Sequence, residues 1–176
     1  MDAAPTLVVM CGLSFAGKST VAAGLARELN ADVVSLDAIN AERGLDGGQG
    51  IPVEEWSTTN DIAHERVAQL LRERMPVVVD DTGSPRFLRD EWRAVAAGTD
   101  ARFALVWVRI DKAEQRRRVI LNRALGERHD VTDTVLDEHV AGFEAPGTDE
   151  HPLTINATDA RDPDAIADLA RRVLER

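Results

Sequence analysis

Apolar residues along this chain form two kinds of run, short unbroken clusters and longer stretches where they recur every three or four positions, and the two kinds alternate. Thr6 to Cys11, with Leu7, Val8, Val9 and Met10, reads as a short buried strand, and Val21, Leu25 and Leu29 then recur at helical spacing. Asp32 to Leu36 reads as a second strand with Asp37 at its C-terminal end. The next segment, "AINAERGLDGGQGIP", crowds Gly44, Gly47, Gly48 and Gly50 ahead of Pro52 and predicts a flexible loop. Ala63, Val67, Leu70 and Leu71 restore helical period up to Met75, Pro76 ends it, and "VVVDD" predicts a third strand that delivers Asp80 and Asp81 at its tip. In "SPRFLRDEWRAVAAG" a helix is expected with Ser84 as cap, Pro85 in the first turn, Leu88, Trp92 and Val95 along one face, and an end near Gly98. "RFALVWVRI" is the fourth expected strand. An arginine-rich helix from Asp111 to about Leu125 follows, "GERHDVT" breaks it, and Thr132 to Phe143 resumes it. "PLTINAT" is the fifth strand, and Asp162-Pro163 opens a last helix with Ile166, Leu169, Ala170, Val173 and Leu174 in one apolar stripe.

Strands alternating with helices imply an α/β fold, a parallel sheet covered by helices on both faces. A length of 176 residues suits one domain, residues 1–176. Ligands in such sheets bind beyond the carboxyl ends of the strands, so Gly12 to Ser19, Asp37 and Asp80-Asp81 should converge there. Apolar residues make up 44% and charged residues 30% of the chain, the composition of a globular protein. No apolar run is long enough to span a membrane, and "MDAAP" lacks the basic and apolar regions of a leader, so a cytoplasmic location is expected. A net charge of −10 argues against a polyanionic partner such as nucleic acid. The single cysteine, Cys11, ends a core strand and reads as a buried, inert thiol.

The densest chemistry lies between the first strand and the first helix. Gly12, four residues, Gly17, Lys18 and Ser19 form the G-x-x-x-x-G-K-[ST] phosphate-binding pattern in its required strand–loop–helix setting. Its backbone N–H groups and the positive end of the helix favour an anion. Lys18 would reach the β- and γ-phosphates of a nucleotide, and the Ser19 hydroxyl would ligate Mg²⁺. The only lysines are Lys18 and Lys112, so a chain that otherwise uses arginine keeps lysine at this position. A glycine-rich turn that binds nothing is the alternative.

Other candidates are less determined by spacing. Asp37 is placed either to accept the proton of a hydroxyl nucleophile or to cap the helix beginning at "AIN". Asp80 or Asp81 fits a strand-end carboxylate that holds Mg²⁺; adjacent strand residues alternate faces, so one of the two is expected at the site and the other in the turn before "TGSP". Arg116, Arg117, Arg118, Arg123 and Arg128 surround the helix break, where they serve either as phosphate clamps on a mobile lid or as a solvated helix face; Arg123 and Arg128 lie nearest the break. His64, His129, His139 and His151 lack metal-binding spacing. Trp56, Trp92 and Trp107 read as core residues, with Trp56, beside the glycine loop, the candidate for substrate contact.

Taken in order, "GLSFAGKST", "SLDAINAERGL", "VVVDDT", the R-x-x-x-N-R of Arg118 to Arg123, and "FEAP" at Phe143 to Pro146 make the chain resemble the small phosphate-loop kinases akin to bacterial polynucleotide kinase domains, chloramphenicol phosphotransferase and zeta-toxin kinases. The resemblance implies a P-loop kinase fold with five parallel strands in the order 2-3-1-4-5, ATP and Mg²⁺ as cofactors, an acceptor-side region at about 38–75, and an arginine-rich lid at about 112–145. It implies nucleotide contacts from Gly12, Leu13, Ser14, Phe15, Ala16, Gly17, Lys18, Ser19, Thr20 and Arg118, and an adenine contact near Asn156 to Thr158. Asp37 matches the general base of these kinases, and Asp81 and Trp56 join it as acceptor-side candidates. Where many relatives carry a basic residue three positions after that aspartate, this chain has Asn40, and Arg43 is the candidate substitute. Gly83 stands where an asparagine often follows the threonine of "VVVDDT". The implied activity is transfer of the γ-phosphate of ATP to a hydroxyl of a small molecule; a polynucleotide 5′-hydroxyl kinase and a non-enzymatic ATP-binding switch are the alternatives.

Overall fold

The computed structural model describes residues 4–45, 50–128 and 130–176; Gly47 and Gly48 of the expected glycine loop, His129 and the first three residues lie outside the described residues. Strand β1 (Thr6–Cys11) is the centre of a five-stranded parallel sheet, flanked by β3 (Val77–Asp80) and β4 (Arg102–Arg109), with β2 (Asp32–Ser35) and β5 (Leu153–Asn156) at the edges, so the order is 2-3-1-4-5. All six residues of β1 are buried, as a strand covered on both faces must be. Its side chains alternate between two cores. Val8 and Met10 pack with α1 (Lys18–Leu29) and α7 (Pro163–Leu174), while Leu7, Val9 and Cys11 pack with α3 (Val53–Arg72) and α4 (Arg86–Gly98). Burial pushes the Cys11 thiol up to about 12, so it stays protonated and unreactive. Helix α1 lies close against α7 because Gly24 has no side chain; a Cβ there would stand 3.0 Å from Ile166.

Several local expectations give way to packing. Strand β2 stops at Ser35, and the segment expected to be loop begins with a helix, α2 (Leu36–Glu42), whose Leu36 and Ile39 are buried against α3. Helix α3 starts at Val53, so Trp56 belongs to its first turn and not to the glycine loop. Ser84 does not cap α4: Pro85 stands at that position after a cis peptide bond, and the Ser84 hydroxyl accepts from the backbone N–H of Glu144 at 2.8 Å. Leu174, expected in the apolar stripe of α7, is 52% exposed: it is the last residue of the helix, turned about 100° from the fully buried Val173 before it. The resumed helix, α6 (Asp133–Gly142), follows α5 (Lys112–Leu125) after a break at Gly126. No described helix is long and apolar enough to cross a membrane.

One buried ion pair ties the segment after α6 to α4. Arg89 of α4 donates from Nε and Nη2 to the two oxygens of Glu150, at 2.7 Å each, and both side chains are shut off from water. Its Nη1 donates to the carbonyls of Gly83 and Glu144. The "FEAP" segment is thereby fastened to the loop that follows β3.

Candidate active site

At the C-terminal end of β1 the chain turns back on itself in a way only glycine permits. A Cβ on Gly12 would lie 2.6 Å from the carbonyl oxygen of Val108 on the neighbouring strand, and Gly17 takes a left-handed conformation, φ 98°, immediately before α1. Phe15 also adopts positive φ, 66°. The loop therefore wraps over the N-terminus of α1, whose unpaired N–H groups face its interior. Lys18 folds back across the loop and donates to the carbonyl of Leu13 at 3.0 Å. Burial lowers its pKa, opposed by the charges of Asp80 and Asp81.

Three carboxylates gather in front of Lys18. Asp80, at the tip of β3, shares the wall of one cavity with Ser19, and its pKa is raised by burial, with the nearby Ser19 hydroxyl and Lys18 opposing the rise and the charge of Asp37 adding to it. Asp81 is raised by burial too; its Oδ1 accepts from the Thr82 backbone N–H at 2.6 Å, while Oδ2 is buried without a partner. Both aspartates thus face the site region, in different settings: Asp80 stands near the loop hydroxyl and Asp81 is bonded to its own turn. A hydroxyl beside a carboxylate, with further negative charge close by, suits Mg²⁺, which takes one or two protein oxygens and completes its shell with water and phosphate. Among the described residues no group of three or more His, Cys, Asp or Glu side chains forms a metal cage by itself. Ser19 and Asp80 are the pair that fits the ion.

Asp37 sits in the first turn of α2, and the capping role belongs to its neighbour: the Ser35 hydroxyl accepts from the Ala38 N–H. The Asp37 carboxylate is exposed and lines two adjoining cavities. One, about 160 Å³, is bounded by Gly17, Lys18, Ser19, Thr20 and Asp80. The other, about 410 Å³, opens between α2, α3 and α6, with Leu13, Ser14, Trp56, Asp81 and Phe143 on its walls. A third, about 390 Å³, lies on the opposite side, lined by Phe15, Thr20, Arg118, Thr158 and Arg161. Asn156 does not line it; that residue ends β5, opposite Arg109.

Arg128 borders all three cavities, its guanidinium stacked 4.3 Å above the Phe15 ring. The R-x-x-x-N-R stretch holds it there. Arg118 donates to the carbonyls of Phe15 and Ala157, fastening the glycine loop to the turn that follows β5. Asn122 clasps the backbone of Arg128 with two 3.0 Å hydrogen bonds. Arg123 is engaged with Asp130, Asp133 and the Val131 carbonyl and is not on the cavity walls. Arg43 also points elsewhere, bonded to Glu55 and Thr59, while Asn40 is buried against Thr59. Gly83 has a positive φ of 61°, and a Cβ there would meet the Met10 carbonyl at 2.6 Å, so an asparagine has no room. Residues that sequence reasoning did not mark also reach the large cavity: Asn60, Glu138 and His139, the last with its Nδ1 3.5 Å from the Ser14 hydroxyl. They stand on helices α3 and α6, and no local pattern distinguishes them from ordinary surface residues.

The model of the AAA_33 family, described as an AAA domain, matches residues 7–146. The chain belongs to this AAA domain family. The match runs from β1 through the "FEAP" segment, so in this AAA domain chain β5 and α7 lie beyond it. A gluconokinase from Sinorhizobium meliloti 1021 superposes with a TM-score of 0.66 at 20% identity, covering 99% of this chain and 97% of that one. The Mycobacterium tuberculosis APS kinase CysC, in complex with AMPPNP and APS, does so with a TM-score of 0.72 at 20% identity, covering 99% and 100%. A chain of the Pnkp1/Rnl/Hen1 RNA repair complex gives 0.67 at 22% identity, over 81% of this chain and 45% of that one. These likenesses establish the P-loop kinase fold. In sequence, the AAA domain chain is 29% identical over 102 residues to tRNA dimethylallyltransferase 1 of Pelobacter propionicus, spanning 46% of this chain and about a third, 33%, of that protein.

Proposed function

We propose that this chain is an ATP-dependent kinase that moves the γ-phosphate of ATP to a hydroxyl of a small molecule, with Asp37 as general base. The observation that carries the reading is the position of Asp37 on the seam between the cavity walled by Lys18 and Ser19 and the larger cavity beside it. A base for phosphoryl transfer must touch the attacking oxygen while that oxygen faces the phosphorus, and a shared wall is where both conditions meet. In this reading the nucleoside lies over Arg118 and Thr158, its phosphates lie in the Gly12–Thr20 loop, and the acceptor occupies the 410 Å³ cavity.

The acceptor hydroxyl loses its proton to an Asp37 oxygen as its own oxygen bonds to the γ-phosphorus. The bond from that phosphorus to the β–γ bridging oxygen breaks, and ADP departs with the electron pair. Lys18 and Arg128 offset the charge that shifts onto the phosphate oxygens. Ser19 and Asp80 would hold Mg²⁺, which would supply charge neutralisation for the transferring phosphate. Residues 112–145 act as the lid, with Arg128 its contribution to the site and Arg123 a brace for the loop that carries it. The APS kinase and gluconokinase likenesses support a small-molecule acceptor by analogy of fold. The RNA repair likeness leaves a polynucleotide as the competing acceptor, against which stands the net charge of −10.

The test is Asp37→Asn, measured for ATP binding, melting temperature and product formation. The substitution keeps size and removes basicity, so binding and stability should hold while transfer falls by about 10²-fold or more. Because Ser35 performs the capping, lost stability is not expected. Transfer at the wild-type rate would sink the general-base role, and ATP binding without any transfer in the wild-type chain would favour a nucleotide-dependent switch.

A further inference from the structure

The walls of the 410 Å³ cavity say what kind of molecule suits it. We infer that its occupant is a hydroxylated small molecule bearing a protonated amine and one apolar face, and not a phosphate- or carboxylate-bearing acceptor. The inference rests on the kinase reading only in taking that occupant to be the phosphoryl acceptor.

Three carboxylates, Asp37, Asp81 and Glu138, line the cavity, and Arg128 is the one Lys or Arg among its described lining residues. Arg128 is turned toward the phosphate side, stacked on Phe15. Arg43, the other arginine considered for this side of the site, does not line the cavity and is bonded to Glu55 and Thr59. An anion entering here would meet net repulsion, whereas a cation would be drawn in by this wall and by the chain's overall charge of −10.

Beside the charge, two residues of the cavity lining carry buried oxygen acceptors that lack donors. Asp81 Oδ2 and Asn60 Oδ1 have no partner. The orientation of Asn60 is set because its Nδ2 donates to the Trp56 carbonyl at 2.9 Å, which leaves the buried oxygen unmatched. Buried acceptors left unmatched are costly, and a ligand rich in N–H or O–H groups relieves that cost. The remaining walls, among them Leu13, Leu36, Trp56, Leu88 and Phe143, supply apolar and aromatic surface, and an ammonium beside Trp56 or Phe143 gains a cation–π attraction as well.

Two matched sets of probes test this on the full chain in the presence of Mg²⁺ and AMPPNP. One comprises 2-amino-1-phenylethanol, 1-phenyl-1,2-ethanediol and mandelate; the other comprises glucosamine, glucose and glucuronate. Within each set the members share a skeleton and differ in carrying a cation, no charge or an anion. Calorimetric titration should give the amine at least about tenfold tighter binding than either counterpart in at least one set, and Glu138→Gln should narrow that preference by about threefold or more. Equal or tighter binding of the neutral or anionic member, or no discrimination in either set, would overturn the inference. Transfer of γ-labelled phosphate with the same compounds separates the two claims. Label appearing on a neutral or anionic acceptor leaves the kinase standing and removes the amine preference. Amine-selective binding with no label transferred to any hydroxyl keeps the ligand chemistry and removes the kinase.

Discussion

Replacing Glu150 by glutamine removes one charge from a pair shut away from water, and the cost follows from the geometry. The side chains of Arg89 and Glu150 are 0% and 1% exposed. The carboxylate accepts from Arg89 Nε and Nη2 and from the Gly147 backbone N–H, and these contacts, the Arg89 hydrogen bonds first, hold its pKa down to about 2 against an ordinary 4.5. At about 1.4 kcal/mol per pH unit that difference amounts to about 3 kcal/mol. Stranding one member of a buried pair costs about 3–5 kcal/mol in general, which agrees. For a chain of this size the loss corresponds to about 6–12 °C in melting temperature. Because the folded-state pKa is depressed, the contribution is complete above the unfolded value of 4.5 and is lost as pH falls through about 2. Melting curves of wild type and Glu150→Gln should therefore differ by that interval at pH 7, and the gap should shrink by about half at pH 3. A gap under about 2 °C at pH 7, or one unchanged at pH 3, would refute the reasoning. Arg89 also grips the Gly83 and Glu144 carbonyls, so the same variant should loosen the turn that carries Asp81.

Lys18→Ala should abolish nucleotide-dependent transfer while changing the melting temperature little, since the Leu13 carbonyl is its one hydrogen-bond partner among the described residues; radiometric assay beside calorimetry checks both. Asn122→Ala deletes the two bonds that fix the Arg128 backbone, so its kcat should fall about tenfold or more, in the same direction as Arg128→Ala, with wild-type kcat in Asn122→Ala alone removing the positioning role. Gly83→Ala combines a left-handed backbone with a 2.6 Å approach to the Met10 carbonyl and should destabilise the chain by more than about 2 kcal/mol in urea unfolding. Cys11 should resist alkylation by iodoacetamide in the native state at pH 8 and react only on unfolding, since burial holds its thiol near 12.

What could be read along the chain was whatever short-range physics dictates. Glycines at fixed offsets around Lys18 mark a phosphate loop because only a backbone free of Cβ makes that turn, and the contact of Gly12 with Val108 is the same constraint seen from the neighbouring strand. Apolar periodicity located all five strands and the helices between them, since burial of one face is a repeating local demand. The short helix α2 escaped it: seven residues carry too few turns for a period, and its helicity depends on Leu36 and Ile39 finding α3. The cap at Ser84 failed for a similar reason, because the serine hydroxyl is taken by Glu144, sixty positions away in sequence. Only tertiary structure decided which arginines face the cavities. Arg43, Arg123 and Arg128 look alike in sequence, yet two are bonded to neighbouring polar groups and one lies over Phe15 at the meeting point of three cavities. The same holds for Asn60 and Glu138, placed on the acceptor-side wall by how α3 and α6 pack. A side chain's chemistry is local, but the space it faces belongs to residues far from it along the chain.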